Sequence, residues 1–158
     1  MIPCAVGGTT IEMWQPGNDA YNGQYYPYDD AIKRLHAAMK SGIVKGIIWH
    51  QGEGDSNEEN AKVYLDKLEK LIQLFRNEVN NPKLPFVAGE LGYYRENSFH
   101  INNVLKKLPE RISETAVASA DGLNHKGDGT HLDTNSSRIL GKRFAQEMLA
   151  LQLKNKQN

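Results

Sequence analysis

Short apolar runs alternate with longer amphipathic stretches along this chain. The runs lie at 2–6, 44–49, 86–88 and 115–120, and each is followed by glycine or polar residues. They are rich in small or β-branched residues and do not alternate in polarity, which is typical of strands buried on both faces of a parallel sheet. The pattern therefore predicts four strands.

Four intervening stretches predict helices, because their apolar residues recur at spacings of three and four. These helices are predicted at 29–40, 57–79, 97–108 and 134–153. The clearest is 57–79, whose apolar residues from Ala61 to Val79 form a single stripe. Strands that alternate with helices predict an α/β layered fold.

Composition narrows the classes of protein that the chain can be. Its 158 residues fit one domain, and 19 basic residues balance 19 acidic ones. No strongly basic face is implied, so nucleic acid is not an expected partner. No apolar stretch approaches the ~20 residues that span a bilayer, so no membrane partner is expected. The single cysteine, Cys4, excludes an internal disulfide.

Candidate chemistry follows the predicted strands, because ligands of an open parallel sheet bind at the carboxyl ends of its strands. Those ends carry Gly7-Gly8-Thr9, His50-Gln51-Gly52-Glu53, Gly89-Glu90 and Asp121-Gly122. Glycines expose N–H donors there, and Gln51 and Glu53 can converge on one bound group. Taken one at a time, these glycines are better explained as turn residues.

A second group of candidates is Asp128-Gly129-Thr130-His131, which precedes the last predicted helix. An aspartate three residues before a histidine can accept from the imidazole Nδ1–H, which fixes the tautomer and stabilises the imidazolium. A lone pair at this spacing also arises by chance. Asp133 or Thr134 can cap the last helix alongside any catalytic role of the pair.

A polar segment at 13–30 holds Trp14 and four tyrosines. Such a loop is either a surface on which sugars stack or a loop whose rings pack on their own scaffold, and the sequence favours neither interpretation.

Gly54-Asp55-Ser56 has the letters of an esterase nucleophile motif. However, Ser56-Asn57-Glu58-Glu59 also forms a capping box, in which Ser56 caps the long helix and Glu59 reaches back to the serine N–H. A nucleophile is expected in a tight strand-to-helix turn. Ser56 is therefore predicted to be a helix cap.

Four blocks in order resemble the sialate O-acetylesterase and acetylxylan esterase branch of the SGNH hydrolases. They are the residues at 2–9 (IPCAVGGT), 49–53 (WHQGE), 89–92 (GELG) and 128–131 (DGTH). The resemblance covers nearly the whole chain. It implies a three-layer flavodoxin-like α/β fold, with helices on both faces of a parallel sheet, and an esterase that removes acetyl groups from carbohydrate.

The resemblance also implies roles for individual residues. His131 matches the general base, and Asp128 and Glu53 compete for the role of the acid that orients it. Gly8 and Gln51 match the oxyanion donors, and the same blocks make Gly52 and Glu90 candidates for substrate binding. Trp14 is a further substrate-binding candidate from the aromatic segment.

No metal or other cofactor is implied. The spacing of Glu53, Glu90, Asp128 and His131 matches no metal signature, so a metal-dependent hydrolase is the weaker alternative. An acetylated carbohydrate is the implied ligand. Secretion or a periplasmic location would suit the family, although no targeting segment is present in the sequence.

The nucleophile that the family implies has no counterpart here. No G-Q-S-N sequence occurs, and in the family that block lies on a first, central strand before the segment matched by 2–6. The chain is therefore expected to be one domain, 1–158, that is truncated at its N-terminus. Three interpretations remain: a fragment of an enzyme, a sheet completed by another copy or chain, or an inactive carbohydrate-binding relic whose flanking strands pair directly.

Overall fold

The computed structural model describes residues 1–157, and side chains through residue 155. Three strands form one parallel sheet in the order β1-β2-β3: β1 (Ile47–Trp49), β2 (Phe86–Gly89) and β3 (Thr115–Ala118). The predicted α/β class with a parallel sheet is confirmed.

In the described part of the chain, five α-helices connect and flank the strands. They are α1 (Pro27–Met39), α2 (Glu58–Glu78), α3 (Ser98–Leu105), α4 (Leu108–Arg111) and α5 (Thr134–Gln157). Single turns of 3-10 helix lie at Ile11–Trp14 and Glu53–Asp55. The predicted helix at 97–108 ends earlier, at Leu105, and Pro109 lies in the first turn of the separate α4. Proline lacks an N–H to donate, so it is tolerated in a first turn but not in a helix interior.

The central strand β2 is buried on both faces, as its apolar composition predicts. Phe86 and Ala88 belong to the larger core cluster with α2 and α3, whereas Val87 belongs to a smaller cluster with α5. Side chains of a strand alternate between faces, so helices cover both sides of the sheet at β2. The helices cover the sheet less completely at β1. Ile48, which is paired in register with the buried Val87, is 47% exposed.

The strand predicted at 2–6 is absent, and that prediction is wrong. The segment forms no strand and is largely exposed, although Arg34 Nη1 donates to the Pro3 carbonyl oxygen at 2.8 Å. A strand exists only where a neighbour accepts and donates its backbone hydrogen bonds, and no strand lies beside this segment. The strand predicted to begin at 44 also begins later, at Ile47.

The cap of α2 differs by one residue from the prediction. Asn57 is the N-cap, and its Oδ1 accepts from the Asn60 N–H at 2.9 Å. The predicted capping box on Ser56 is therefore wrong. Serine and asparagine are comparable N-caps, so sequence preference alone does not choose between adjacent candidates.

None of the helices in the described part of the chain combines the length and the apolar character needed to cross a bilayer.

The buried apolar stripe on α2 predicts which substitutions on this helix destabilise the protein. Leu68 is 0% exposed, and its replacement by alanine removes methyl groups from a packed core. We expect Leu68→Ala to lower the free energy of unfolding by about 2–5 kcal/mol. Equilibrium urea denaturation followed by circular dichroism measures this loss.

Val63→Ala is the matched control on the same helix, because Val63 is 42% exposed. It should change the free energy of unfolding by no more than about 0.5 kcal/mol. Equal losses in the two variants would contradict the assignment of the buried face of α2.

Candidate active site

The candidate residues lie on loops that leave the carboxyl ends of the three strands. The first loop leads from β1 to α2, the second from β2 to α3, and the third from β3 to α5. Because the strands are parallel, these loops meet at one edge of the sheet. The segment 7–10 is also held at this edge, by a hydrogen bond to the β1–α2 loop and not by pairing as a strand.

The Asp128–His131 pair forms the hydrogen bond that its spacing predicts. Asp128 Oδ2 lies 2.7 Å from His131 Nδ1, and a carboxylate can only accept, so the imidazole donates from Nδ1. The other ring nitrogen, Nε2, is then free to accept a proton. The His131 side chain is 69% exposed, so this nitrogen can be reached from solvent.

Backbone amides hold the same carboxylate from its other oxygen. Asp128 Oδ1 accepts from the N–H groups of Thr130 at 2.9 Å and His131 at 2.8 Å. The His131 side chain first, and then these two amides, hold the pKa of Asp128 well below its usual value. Lys126 Nζ lies 3.5 Å from Oδ2. The pair is therefore a fixed carboxylate with an oriented imidazole.

The loop that carries the pair is a small hairpin. His125 and Leu132 form an antiparallel bridge, and the Lys126 N–H donates to the His131 carbonyl oxygen at 2.9 Å. Gly127 and Gly129 have φ of 115° and 67°, which favours glycine at both positions.

The base of the hairpin is joined to α5. Asp133 Oδ1 accepts from the Ser136 N–H at 2.6 Å in the first turn of α5, and Ser136 Oγ accepts from the Asn124 N–H at 2.9 Å. The predicted capping role of Asp133 is confirmed. The position of the imidazole is thus fixed relative to a long helix.

His125 is a residue whose role the sequence reasoning missed. Its Nδ1 accepts from the N–H groups of Gly127 and Gly129, both at 3.0 Å, and its ring lies 5.1 Å from that of Tyr94. The sequence signal for this role was the position of two glycines, two and four residues after His125, whose N–H groups can reach its imidazole. His125 thus closes the hairpin beneath the Asp128–His131 pair.

Glu53, the competing candidate acid, lies on the β1–α2 loop in the short 3-10 helix. It is exposed and lines a cleft with Gly129, which places it beside the His131 loop. In the described structure the carboxylate hydrogen-bonded to His131 Nδ1 belongs to Asp128 and not to Glu53. The catalytic role of either carboxylate stays a prediction.

Gln51 is buried at the centre of a polar network. Its Nε2 donates to the Thr9 carbonyl oxygen at 2.9 Å and to Asp55 Oδ2 at 2.6 Å. The Tyr64 hydroxyl donates to Gln51 Oε1 at 2.9 Å and accepts from Trp49 Nε1 at 3.1 Å. Both amide hydrogens of Gln51 are therefore in use. Its predicted role as an oxyanion donor stays a prediction, and it requires one of these bonds to be exchanged for the substrate.

Asp55 completes this network from within the core. Its Oδ2 also accepts from the Ile11 N–H at 2.9 Å, and its burial raises the pKa of the carboxyl, an effect that its hydrogen bonds oppose. The network therefore ties the segment 9–11 to the β1–α2 loop.

Gly8 adjoins this network through Thr9. It has φ of 70°, which favours glycine. A Cβ at this position would lie 2.6 Å from the hydroxyl oxygen of the exposed Tyr21, whose side chain would have to move. The Tyr21 hydroxyl donates to the Gly7 carbonyl oxygen. The Gly7–Gly8 turn is thus exposed and close to Gln51, which suits its predicted donor role.

The two other residues predicted to bind substrate, Gly52 and Glu90, are both buried and make structural contacts. Gly52 is buried, and a Cβ there would meet Ile101 Cγ2 at 2.8 Å. Glu90 is 2% exposed, and its carboxylate accepts from the Tyr93 and Ser119 hydroxyls, both at 2.9 Å. It lines a different groove from Glu53.

The structure contradicts the prediction that Trp14 binds substrate. It is 5% exposed, packs edge-to-face on Trp49 and donates from Nε1 to Thr9 Oγ1 at 3.0 Å, so its ring is a core residue. The segment also has exposed rings, since Tyr21, Tyr25 and Tyr26 are 39–50% exposed.

A cleft of about 370 Å³ opens beside the Asp128–His131 pair. The sequence reasoning missed one wall of it, the residues at 94–97, which carry no motif. The cleft is lined by Glu53, Ser56, Tyr94, Arg95, Glu96, Asn97 and Gly129. Within the described residues, no group of three or more histidine, cysteine, aspartate or glutamate side chains is placed to hold a metal ion.

Comparisons with known proteins give a consistent result. Residues 1–150 match the model of a family described as carbohydrate esterase, sialic acid-specific acetylesterase. A curated Arabidopsis thaliana protein, "Probable carbohydrate esterase At4g34215", is 30% identical over 153 residues, which cover 95% of this chain and 55% of that protein. The chain thus spans about half the length of this relative.

Two solved structures are similar to this one. The crystal structure of the Arabidopsis thaliana protein AT4G34215 has a TM-score of 0.81 at 29% identity, over 94% of this chain and 59% of the other. The structure of XAC1771, a carbohydrate acetylesterase from Xanthomonas citri, has a TM-score of 0.72 at 24% identity, over 94% of this chain and 36% of the other. At that identity the second likeness establishes the fold alone.

The lowered pKa of Asp128 makes a prediction about pH. The carboxylate should stay ionised below the ordinary aspartate value, because the largest cause of the lowered pKa is its hydrogen bond to His131. The hydrogen bond between Asp128 and His131 therefore stabilises the hairpin fully when the pH is above the ordinary pKa of aspartate. This stabilisation is lost as the pH falls through the lowered pKa of Asp128. A carbon-13 NMR titration of the Asp128 carboxyl measures that pKa.

His131→Ala should raise the pKa of Asp128 only part of the way, since the two backbone amides remain. His100→Ala is the control, because His100 lies on α3 and its ring stacks on Phe99. If the Asp128 carboxyl had the same pKa in the wild type, His131→Ala and His100→Ala, the hydrogen bond between Asp128 and His131 would be excluded.

Proposed function

This chain belongs to the carbohydrate esterase family described as sialic acid-specific acetylesterases, and from that premise we propose that it hydrolyses acetyl esters of carbohydrates. In this proposal the chain contributes the general base and the substrate cleft of a serine esterase. The nucleophilic serine comes from outside these residues. The oriented Asp128–His131 pair, with its 2.7 Å hydrogen bond beside a cleft, is the observation that carries the proposal.

The proposed reaction passes through an acetyl-enzyme. His131 Nε2 takes the proton of a serine hydroxyl as its oxygen attacks the ester carbonyl, and Asp128 stabilises the imidazolium. The imidazolium then returns the proton to the departing sugar oxygen. Water attacks the acetyl group in the same way, giving acetate and restoring the serine.

Oxyanion stabilisation would come from the segment at 7–10 and the β1–α2 loop. The exposed Gly7–Gly8 turn can offer a backbone N–H. Gln51 would be the second donor, after exchanging its hydrogen bond to Thr9 or Asp55 for one to the substrate. One such donor contributes about 2.7–4 kcal/mol to transition-state stabilisation.

The free edge of β1 supports an external source for the nucleophile. Within the described residues, β1 pairs with β2 on one side only, so its other edge presents unpaired backbone groups. Ile48 on this strand is 47% exposed, and Ile43 just before it is 80% exposed. We propose that a strand from another part of the protein, or from another copy or chain, pairs here and brings the serine to the edge that carries His131.

A carbohydrate-binding protein without catalysis is the second candidate. The exposed Tyr21, Tyr25 and Tyr26 favour it, because aromatic rings are common platforms for sugars.

These 158 residues alone should show no His131-dependent hydrolysis of p-nitrophenyl acetate, because the part of the chain that the structure describes has no serine in a tight strand-to-helix turn. The wild type, His131→Ala, Ser56→Ala and His100→Ala should share one background rate. Turnover that is lost in His131→Ala and kept in Ser56→Ala would contradict this expectation. Turnover lost also in Ser56→Ala would identify Ser56 as that nucleophile.

Complementation tests the proposal directly. We expect acetyl ester hydrolysis when the chain is co-expressed with the part of the Arabidopsis relative outside the matched region. His131→Ala should reduce kcat by about 10²–10⁴, the usual contribution of a general base. His100→Ala should leave kcat unchanged. Complemented activity that persists fully in His131→Ala would rule out the proposed base.

A further inference from the structure

The tip of the hairpin that carries Asp128 and His131 is held by one nitrogen of a second histidine. His125 Nδ1 accepts from the Gly127 N–H and from the Gly129 N–H, both at 3.0 Å. These are the amides on either side of Asp128. One acceptor therefore fixes the backbone immediately before and after the carboxylate that is hydrogen-bonded to His131.

The two glycines make this acceptor necessary. Gly127 and Gly129 have φ of 115° and 67°. Glycine loses more conformational freedom on folding than any other residue, so a backbone with two glycines reaches many conformations when its amides are released. The position of Asp128 between them therefore depends on His125.

The two amide bonds require one protonation state of His125. A backbone N–H can only donate, so Nδ1 must accept, and the proton of the neutral ring lies on Nε2. His131 is the opposite tautomer, because its Nδ1 donates to Asp128 Oδ2 at 2.7 Å. Protonation therefore affects the two rings differently. The His131 imidazolium keeps its bond to Asp128, whereas the His125 imidazolium can no longer accept from either amide.

Charged groups surround His125 on the hairpin, at the start of α5 and on the loops across the cleft. They are Lys126, Asp128, Asp133, Glu53 and Arg95. Hydrogen bonds from Ser136 are the largest cause of the lowered pKa of Asp133, and the charge of a protonated His125 is a smaller cause.

The Tyr94 ring lies 5.1 Å from the ring of His125. Burial is the largest cause of the raised pKa of Tyr94, so its hydroxyl stays neutral at neutral pH. His125 is exposed to solvent and close to the carboxylate of Asp133, so it can take up a proton when the pH falls.

We propose that His125 is a positioning residue for the Asp128–His131 pair only while it is neutral, and that its protonation loosens the hairpin tip. The catalytic consequence rests on the proposed function. Histidine ordinarily changes charge between about pH 5 and 8. The two amide bonds exist only with unprotonated Nδ1, so they are present at the upper end of this range and are lost as the pH falls through the titration of His125. The bond between Asp128 and His131 is local and remains available, but Asp128 is then held less rigidly.

The tautomers and titrations of the two histidines can be measured in the full chain. Histidine labelled with nitrogen-15 reports them through long-range proton–nitrogen NMR correlations. At high pH we expect the Nε2–H tautomer at His125 and the Nδ1–H tautomer at His131. Protection of the Gly127 and Gly129 amides from hydrogen exchange, relative to an unstructured peptide at the same pH, should fall about tenfold as His125 is protonated. Amides of α2 are the internal control, because acid unfolding of the whole domain would expose them as well.

Two substitutions separate the acceptor from the ring. His125→Asn keeps an oxygen acceptor near the position of Nδ1 but does not titrate, so protection of the Gly127 and Gly129 amides should not change between about pH 5 and 8. His125→Phe keeps an aromatic ring against Tyr94 without an acceptor, so protection should be low at every pH. His100→Ala on α3 is the control and should titrate like the wild type.

A pH profile of the complemented esterase measures the catalytic consequence. Titration of His131 lowers kcat/KM in acid in every variant that keeps it. The ratio of kcat/KM in His125→Asn to that in the wild type cancels this effect. We expect the ratio to rise by about tenfold from high to low pH, following the titration of His125. A purely structural His125 would give a ratio that does not depend on pH.

Four results would overturn the proposal. They are the Nδ1–H tautomer at His125, amide protection that is unchanged through its titration, pH-dependent release that persists in His125→Asn, and a constant ratio of kcat/KM in an active complemented protein. The NMR measurements need no nucleophile, so they decide the role of His125 separately from the esterase proposal. Release that follows His125 in a protein without complemented activity would support the role of His125 in the hairpin and count against the proposed function.

Discussion

The parallel pairing of β2 with a strand on each side determines where the chemistry of this chain lies. Every residue of β2 is buried, and its register is fixed by Phe86 and Ala88 on one face and Val87 on the other. A slip of one residue would exchange these faces, so the register is strongly specified. With that register, three loops leave the same edge, and the Asp128–His131 pair, Gln51 and the cleft follow from it.

The segment before α1 is held to that edge by side chains instead of a strand. Asp55 accepts from the Ile11 N–H, and Gln51 joins Asp55 to the Thr9 carbonyl oxygen. Burying a carboxylate is unfavourable, as the raised pKa of Asp55 indicates, but these hydrogen bonds offset part of the cost. The same network that positions Gly8 therefore also occupies the amide of Gln51. In the proposed function, Gln51 would have to exchange one of these structural hydrogen bonds for a bond to the substrate.

Local interactions were predictable from the sequence, and non-local ones were not. The α2 stripe and the Asp128–His131 hydrogen bond span three or four residues, so spacing alone indicates them. The strand at 2–6 failed because a strand needs a neighbour that apolar composition does not supply. The cleft wall at 94–97 has no motif, since it reaches the site through non-local contacts of Tyr94 with Thr130 and His125. Trp14 was misassigned because composition does not show which ring of a loop turns inward.

The exposure of His131 and the free edge of β1 are connected physically. An imidazole that is 69% exposed lies in a high-dielectric environment, where hydrogen bonds to a developing oxyanion are weaker than in a site that excludes water. In the proposed function, a strand added along β1 would pair its free backbone groups, and the loop that follows that strand would exclude water from the edge where the strands end. In the proposed function, completing the sheet and completing the active site are therefore one event, because the strand that brings the serine also lowers the dielectric around the base that activates it.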